Sequence, residues 1–412
     1  MKQETAYSLA RAQYAEIGLD TEQALGQLDK VALSLPCWQL DDVTGFEPKP
    51  RSLAGSGLAV TGGYPGRARN VEELRRDADK AFSLIPGRHR LNLHSIYGEF
   101  PGRVERDRFA PEHFAGWIDW ARERGLGLDF NATLFAHQES QTGFTLSSYE
   151  EPVRRYWVEH VRACRKTSAH IGRALGLCCI HNLWIPDGQK DIPTDRFERR
   201  ELLGRSLDEI YETSYPAGEM KDAVESKLWG IGSEAFVVGS HDFYSAYAHK
   251  HGLLLCLDTG HFHPTESVAD KLSAILQFSS ELLLHLSRGV RWDSDHVVLL
   301  EDPLRELAQE IVRIGLGRFH LALDFFDASL NRVGALVLGS RAVLQALLMA
   351  LLQPKPEPAD DNLSRLARLE QAKLLPWSAV WDEHCRRHDV PTGMKWLNDV
   401  RQYEREVHNR RK

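Results

Sequence analysis

The stretch LLLCLDTGHFHP (Leu253–Pro264) decides the fold. It opens with an unbroken apolar run, reaches Asp258, and then carries His261 and His263 within a few residues. A strand with one wet face alternates apolar and polar side chains. A continuous run is what a strand covered on both faces requires, as in a parallel sheet flanked by helices. Working outward, seven further runs read in the same way: Leu33–Gln39, Leu91–Tyr97, Leu126–Ala132, Leu177–Trp184, Val224–Gly232, Glu281–Ser287 and Phe319–Phe326. Amphipathic helical stretches separate them, among them VEELRRDADKAF (Val71–Phe82), EHFAGWIDWARERG (Glu112–Gly125), Val153–Gly176 and DPLRELAQEIVRIG (Asp302–Gly315). Several close on glycine, the residue that caps helix C-termini. Eight alternations predict an α/β protein built as a (β/α)8 barrel, with the doubly wound sheet as the competing arrangement.

The barrel is expected to occupy residues 1–353, with a helical segment ahead of its first strand and Val333–Gln353 as its last helix. PKPEPADDN (Pro354–Asn362) reads as a linker, and residues 354–412 as that linker plus a helical C-terminal extension anchored by Trp377, Trp381 and Trp396. The extension is expected to lie on the barrel or on a neighbouring subunit.

Composition excludes several functions. The 412 residues carry 51 Lys and Arg against 58 Asp and Glu, a net charge of −7. Neutralising phosphates requires a cationic surplus, so neither nucleic acid nor an anionic membrane surface is expected as a partner. Six scattered cysteines without a CxxC pair fit neither a disulfide framework nor a thiolate zinc site. The first twenty residues lack the apolar core of a signal peptide, and the apolar run Ala346–Leu352 is far short of the ~20 residues that span a bilayer. A cytoplasmic protein is the expectation.

The polar residues interrupting the strands carry the chemistry. Barrel strands point their C-terminal ends at the active site, and there the sequence places His94, Asp129, Asn131, His181, Glu225, Lys227, Asp258, His261, His285, Asp324 and Asp327. Unpaired charges are costly inside a barrel, so their recurrence at one end of at least six strands argues for a site. RWDSDH (Arg291–His296) adds Asp293 and Asp295, two residues apart and therefore on one side of an extended loop. Five carboxylates (Glu225, Asp258, Asp293, Asp295, Asp324) and two imidazoles (His261, His285) exceed what one ion needs, which predicts two neighbouring divalent cations. Carboxylate oxygens favour Mn²⁺ or Mg²⁺, and imidazole shifts the preference toward Mn²⁺, Co²⁺ or Zn²⁺.

Other motifs carry less. GSGLAVTGGYPG (Gly55–Gly66) has neither GxGxxG nor a Walker lysine and reads as a loop; EHCRRH (Glu383–His388) reads as a helix surface in the charged tail. No GxSxG elbow occurs.

SLPCWQLDDV, NLHSIY, HNLWIPDG, AVESKLWGIG, CLDTGHFHPTE, LLLHLSR, VRWDSDHVVLL and LALDFFDASLNR together resemble L-rhamnose isomerase along nearly the whole chain. The resemblance implies a homotetrameric (β/α)8 enzyme that converts L-rhamnose to L-rhamnulose, at the first step of rhamnose catabolism, with two divalent cations, Mn²⁺ before Zn²⁺ or Co²⁺. It implies one cation on Glu225, Asp258, His285 and Asp324, and a second on His261, Asp293 and Asp295 with Asp258 close to both. It places Lys227 near the sugar carbonyl, His94 and Trp184 along the sugar, and Phe135 on its apolar side. One departure stands at Trp38-Gln39-Leu40-Asp41-Asp42-Val43, where leucine replaces the family's glycine. A metal-assisted 1,2-hydride shift on the open-chain sugar is the expected route, with Lys227 stabilising charge on oxygen. An enediol route with Asp324 or Glu225 as base is the rival. Two other functions compete: a two-metal hydrolase on the same barrel, such as a phosphoesterase, and a non-catalytic sugar- or metal-binding protein, which would have no use for Lys227.

Overall fold

The apolar runs become strands buried on both faces. The computed structural model describes residues 3–48, 60–227, 234–290, 295–355 and 360–411. Two helices come first, α1 (Gln3–Glu16) and α2 (Thr21–Leu28). Eight strands then alternate with eight helices: β1 (Leu33–Pro36), α3 (Val71–Phe82), β2 (Arg90–His94), α4 (Ala115–Arg124), β3 (Gly127–Asn131), α5 (Glu151–Leu175), β4 (Cys179–Trp184), and α6 (Arg196–Tyr211) after a two-residue strand β5 (Gly188–Gln189). The series continues with β6 (Met220–Glu225), the short β7 (Phe236–Val237), α7 (His241–His251), β8 (Leu254–Asp258), α8 (Val268–Ile275), β9 (Leu282–Leu286), α9 (Asp302–Ile314), β10 (Phe319–Leu323) and α10 (Arg332–Leu351).

The strands close in the order β1-β10-β9-β8-β6-β4-β3-β2, all neighbours parallel. The closed parallel barrel settles the choice against the doubly wound sheet. β5 and β7 pair separately as a short antiparallel ladder beyond the rim. Local chemistry places the helix ends. The Asn70 side chain accepts from the Glu73 amide to start α3, and Gly125 and Gly176 end α4 and α5 with φ of 64° and 67°, a conformation that costs glycine nothing.

One expected strand is displaced. β6 ends at Glu225, whereas the run predicted there begins at Val224. Lys221 and Asp222 make its true span look unlike a buried strand, but Lys221 pairs with Glu281 at 2.5 Å and Asp222 with Arg165 at 2.8 Å. α10 is the one helix among the described residues long and apolar enough to cross a membrane by composition. Its apolar window is 78 % buried against the barrel, which makes it a core helix.

Three helices follow: α11 (Asn362–Lys373), α12 (Trp377–Arg387) and α13 (Lys395–Arg410). α12 packs on α1, α2 and α10, and α13 on α10. Asp77 of α3 receives the Tyr403 hydroxyl at 2.6 Å and the Arg411 guanidinium at 2.8 Å, so the chain end is fastened to a barrel helix. EHCRRH is not a helix surface: His384 and Cys385 are buried and only the far turn is wet. Leu40 is fully buried in a 3-10 turn after β1. The left-handed residues come after it, at Asp42 (φ 60°) and Val43 (φ 55°), so the leucine meets no backbone conflict.

Candidate metal centre

β6, β8, β9 and β10 are consecutive neighbours in the barrel wall. Their register brings Asp258 directly across from His285, and His285 across from Ala322, two residues before Asp324. Glu225 is the last residue of β6. Four chemically useful side chains thus share one layer at the C-terminal end, as barrel geometry requires of a site.

The distances are short. His285 Nδ1 lies 2.8 Å from Asp324 Oδ2, 3.3 Å from Glu225 Oε2 and 3.9 Å from Asp258 Oδ2. His261, on the loop after β8, has Nδ1 3.5 Å from Glu225 Oε1 and Nε2 3.7 Å from Asp295 Oδ1. One ligand atom from each of Glu225, Asp258, His285 and Asp324 fits within a 4.8 Å span, and so does one from each of Asp258, His261 and Asp295. Asp258 belongs to both groups. Asp293 lies outside the described residues.

Two of the carboxylates are half-tethered. Asp258 Oδ1 accepts from the Gly260 amide and the Ser287 hydroxyl, both at 2.6 Å, while its buried Oδ2 has no hydrogen bond. Asn182 holds Glu225 Oε2 at 2.5 Å, while Oε1 has none. His261 Nδ1 donates to the Ser226 carbonyl at 3.0 Å, which turns Nε2 toward Asp295. A tethered oxygen behind and a bare buried oxygen in front, as at Glu225 and Asp258, are the form of a cation site. The loop passes through this cluster at Gly260, where a Cβ would meet Ser287 Oγ at 2.5 Å and Asp295 Oδ1 at 3.0 Å.

Electrostatics agree. Burial, with Asp324 and Glu225 alongside, pushes Asp258 up to about 7. Burial also works against ionised Glu225, but the His285 and His261 charges and the Asn182 hydrogen bond outweigh it and hold that carboxyl down to about 2. Burial would depress His285, yet Cys256, Glu225 and Asp324 around it keep its imidazole well above the usual range. Protons are standing where a cation would neutralise the same carboxylates.

Beside the cluster an aromatic wall forms. The ring of His94 meets Trp38 edge-on at 4.8 Å and Phe135 at 5.7 Å, and Phe135 meets Trp184 at 6.1 Å. Enclosure holds the His94 pKa down to about 3 despite the pull of Glu225, so the ring is neutral at ordinary pH. Lys227, nearly buried, has its ammonium 5.9 Å from the Trp184 ring, where it donates to the Pro186 carbonyl at 2.7 Å and to Glu234 at 2.9 Å.

A family profile described as "RhaA: L-rhamnose isomerase (RhaA)" matches residues 1–411. The chain belongs to the L-rhamnose isomerase family. It is 54 % identical to the L-rhamnose isomerase of Rhodopirellula baltica over 99 % of this chain and 97 % of that one, and 53 % identical to that of Mannheimia succiniciproducens over 98 % of both. Among solved structures it is similar to an L-ribulose 3-epimerase at 12 % identity, with a TM-score of 0.48 over 84 % of this chain and 98 % of that one. Membership of the family makes the protein an aldose–ketose isomerase.

Not every strand-end residue reaches this centre. Asp129 sits two residues before the end of β3, forms a two-pronged pair with Arg90 at 2.8 Å, and borders a cavity of about 460 Å³ also lined by Lys30 and Phe319. His181 is buried in the wall against Asp222 at 3.1 Å. Asp327 caps Ser329, and His263 bonds Thr265 within its own loop. Conversely, Trp38, Asn182, Ser287 and Glu234 join the site without having been picked out as candidates. Trp38 lies in the turn just after β1, and Asn182 shares β4 with Trp184, so both carried a positional signal.

Proposed function

We propose that the protein interconverts L-rhamnose and L-rhamnulose at two adjacent divalent cations, Mn²⁺ before Zn²⁺ or Co²⁺, bound by Glu225, Asp258, His285 and Asp324 and by His261, Asp293 and Asp295. The observation that carries this reading is Asp258, whose bare Oδ2 faces His285 while the residue is shared between two clusters of ligand size. Bound divalent cations act as Lewis acids that polarise the sugar carbonyl and acidify the adjacent hydroxyl.

The chain's own residues supply the rest. Trp38, His94, Phe135 and Trp184 give the sugar a wall that excludes water and takes its apolar face, including the C6 methyl. Neutral His94 offers that sugar a hydrogen bond rather than a charge, with Nδ1 placed 3.0 Å from Thr133 Oγ1. Lys227, held at the rim by Pro186 and Glu234, brings the ammonium that offsets negative charge developing on the sugar oxygen. In the open-chain sugar, hydrogen passes with its electron pair from C2 to C1 while the O2 proton passes to O1. Asp324 and Glu225 are the candidate bases of the enediol alternative, and both lie beside His285.

Sugar deuterated at C2 separates the two routes: label retained at C1 of the ketose supports the hydride shift, and complete washout into water overturns it. Family membership also supports a homotetramer acting at the first step of rhamnose catabolism; the cytoplasmic location, and a catalytic unit over residues 1–353 with an accessory extension over 354–412, rest on the sequence. Sedimentation analysis tests the tetramer, and limited proteolysis the division at residue 353.

A further inference from the structure

A second cluster of ligand-type side chains lies far along the sequence from the barrel mouth. His384 and His388 stand four apart on and just after α12, hence on one helix face. Asp29, the residue that ends α2, faces them. One ligand atom from each fits within a 4.8 Å span. Asp29 Oδ1 is 2.8 Å from His388 Nε2 and 3.4 Å from His384 Nδ1. Bonds of about 2.1 Å to a tetrahedral ion put neighbouring ligand atoms about 3.4 Å apart, so the ligands need only small adjustments.

The second observation concerns His384 itself. Its side chain is 1 % exposed, yet its Nδ1 has no hydrogen bond, although Asp29 stands 3.4 Å away. A buried polar atom left bare and aimed at a carboxylate and a second imidazole is what a missing ligand leaves behind. His388 is 28 % exposed and Asp29 42 %, which leaves a solvent path for an ion and a water to complete its shell. Burial beside His388 holds His384 down to about 4, so its ring is already in the neutral form that binds metals.

We infer that Asp29, His384 and His388 form a peripheral binding site for one borderline divalent transition-metal ion, of the Zn²⁺ class, that clasps the C-terminal extension to the N-terminal helices. Two imidazoles and one carboxylate select such ions over Mg²⁺ or Ca²⁺. The clasp would add to the existing tie at the same junction, where Arg387 grips Glu22 at 2.8 Å through both of its terminal nitrogens.

Manganese-loaded protein dialysed against excess Zn²⁺, then analysed for both metals, tests this directly. The parent should carry one zinc per chain more than His388→Ala and than Asp29→Asn, while all three retain equal turnover. Zinc should also raise the melting temperature of the parent and not that of His388→Ala, with at least a tenfold loss of zinc affinity in the variant. His388 is partly exposed, so its truncation leaves the core intact and the comparison stands if His384→Ala fails to fold. Equal zinc contents in parent and variants, or no zinc beyond the barrel complement in the parent, would overturn the assignment.

Discussion

Ser287→Ala probes the centre without removing any ligand. The Ser287 hydroxyl donates to Asp258 Oδ1 at 2.6 Å, and the Gly260 amide donates to the same oxygen at the same distance. A hydrogen bond to a charged group contributes about 1.5–3 kcal/mol. With the Gly260 amide still in place, the loss should fall near the lower end, about 1.5–2 kcal/mol, or roughly a 10- to 30-fold weaker hold on a cation. Asp258 is shared by both ligand groups, so both binding events should weaken together. The cation-free protein should lose much less, because Asp258, pushed up to about 7, is substantially protonated there and has less charge to stabilise. Calorimetric titration of Mn²⁺ into stripped protein, with thermal melts of the stripped and loaded forms, reads all three quantities. Unchanged cation affinity, or a loss of stability as large in the stripped form as in the loaded one, would show that Ser287 supports the loop alone and that Asp258 is no ligand.

Four further outcomes follow. Binding should release protons, because Asp258 and His285 both sit high in the free protein; affinity should fall roughly a hundredfold per pH unit below about pH 7, measured as Mn²⁺ affinity in buffers of different ionisation enthalpy, and a flat profile contradicts the assigned charges. Asp295→Asn should cut turnover at least a hundredfold while leaving the urea midpoint nearly unchanged; a matching stability loss would place Asp295 in a structural network instead. Gly260→Ala should reduce metal content as well as activity, since the added Cβ has only 2.5 Å to Ser287 Oγ, and full occupancy by metal analysis would contradict the crowding seen there. Asp129→Asn leaves the mostly buried Arg90 without its counter-charge, so it should cost about 3 kcal/mol in urea unfolding while KM stays unchanged.

Much of this architecture is visible in the chain itself because it depends on burial. Runs such as Leu254–Leu257 and Leu282–Leu284 are apolar on both faces, and only a strand between two packed layers has a use for that. The same rule misplaces β6, whose Lys221 and Asp222 are tolerable only because Glu281, Arg165 and His181 reach them from other elements. Long-range charge pairing leaves no local trace. Asp129 and His181 mislead for the matching reason: both are ionisable residues near a strand end, and their wall-bound partners Arg90 and Asp222 decide that they are structural. At the centre, the candidate ligands are legible from residue type and strand position, whereas the tethers are not. Ser287 and Asn182 are ordinary polar residues until the register sets them against Asp258 and Glu225. EHCRRH shows the limit most clearly, since a helix with alternating charge reads as solvent-facing until α12 is seen to turn His384 and Cys385 inward against α1, α2 and α10.

If the carboxylates and imidazoles at the barrel mouth hold divalent cations against an open-chain aldose, turnover depends on those cations. Incubating EDTA-stripped protein with L-rhamnose, with and without restored Mn²⁺, tests it most directly when the product is identified by its ketose carbonyl. No turnover is expected in the stripped protein, and L-rhamnulose is expected once manganese returns; ketose formed at an undiminished rate without cations, or none formed with them, would refute that dependence.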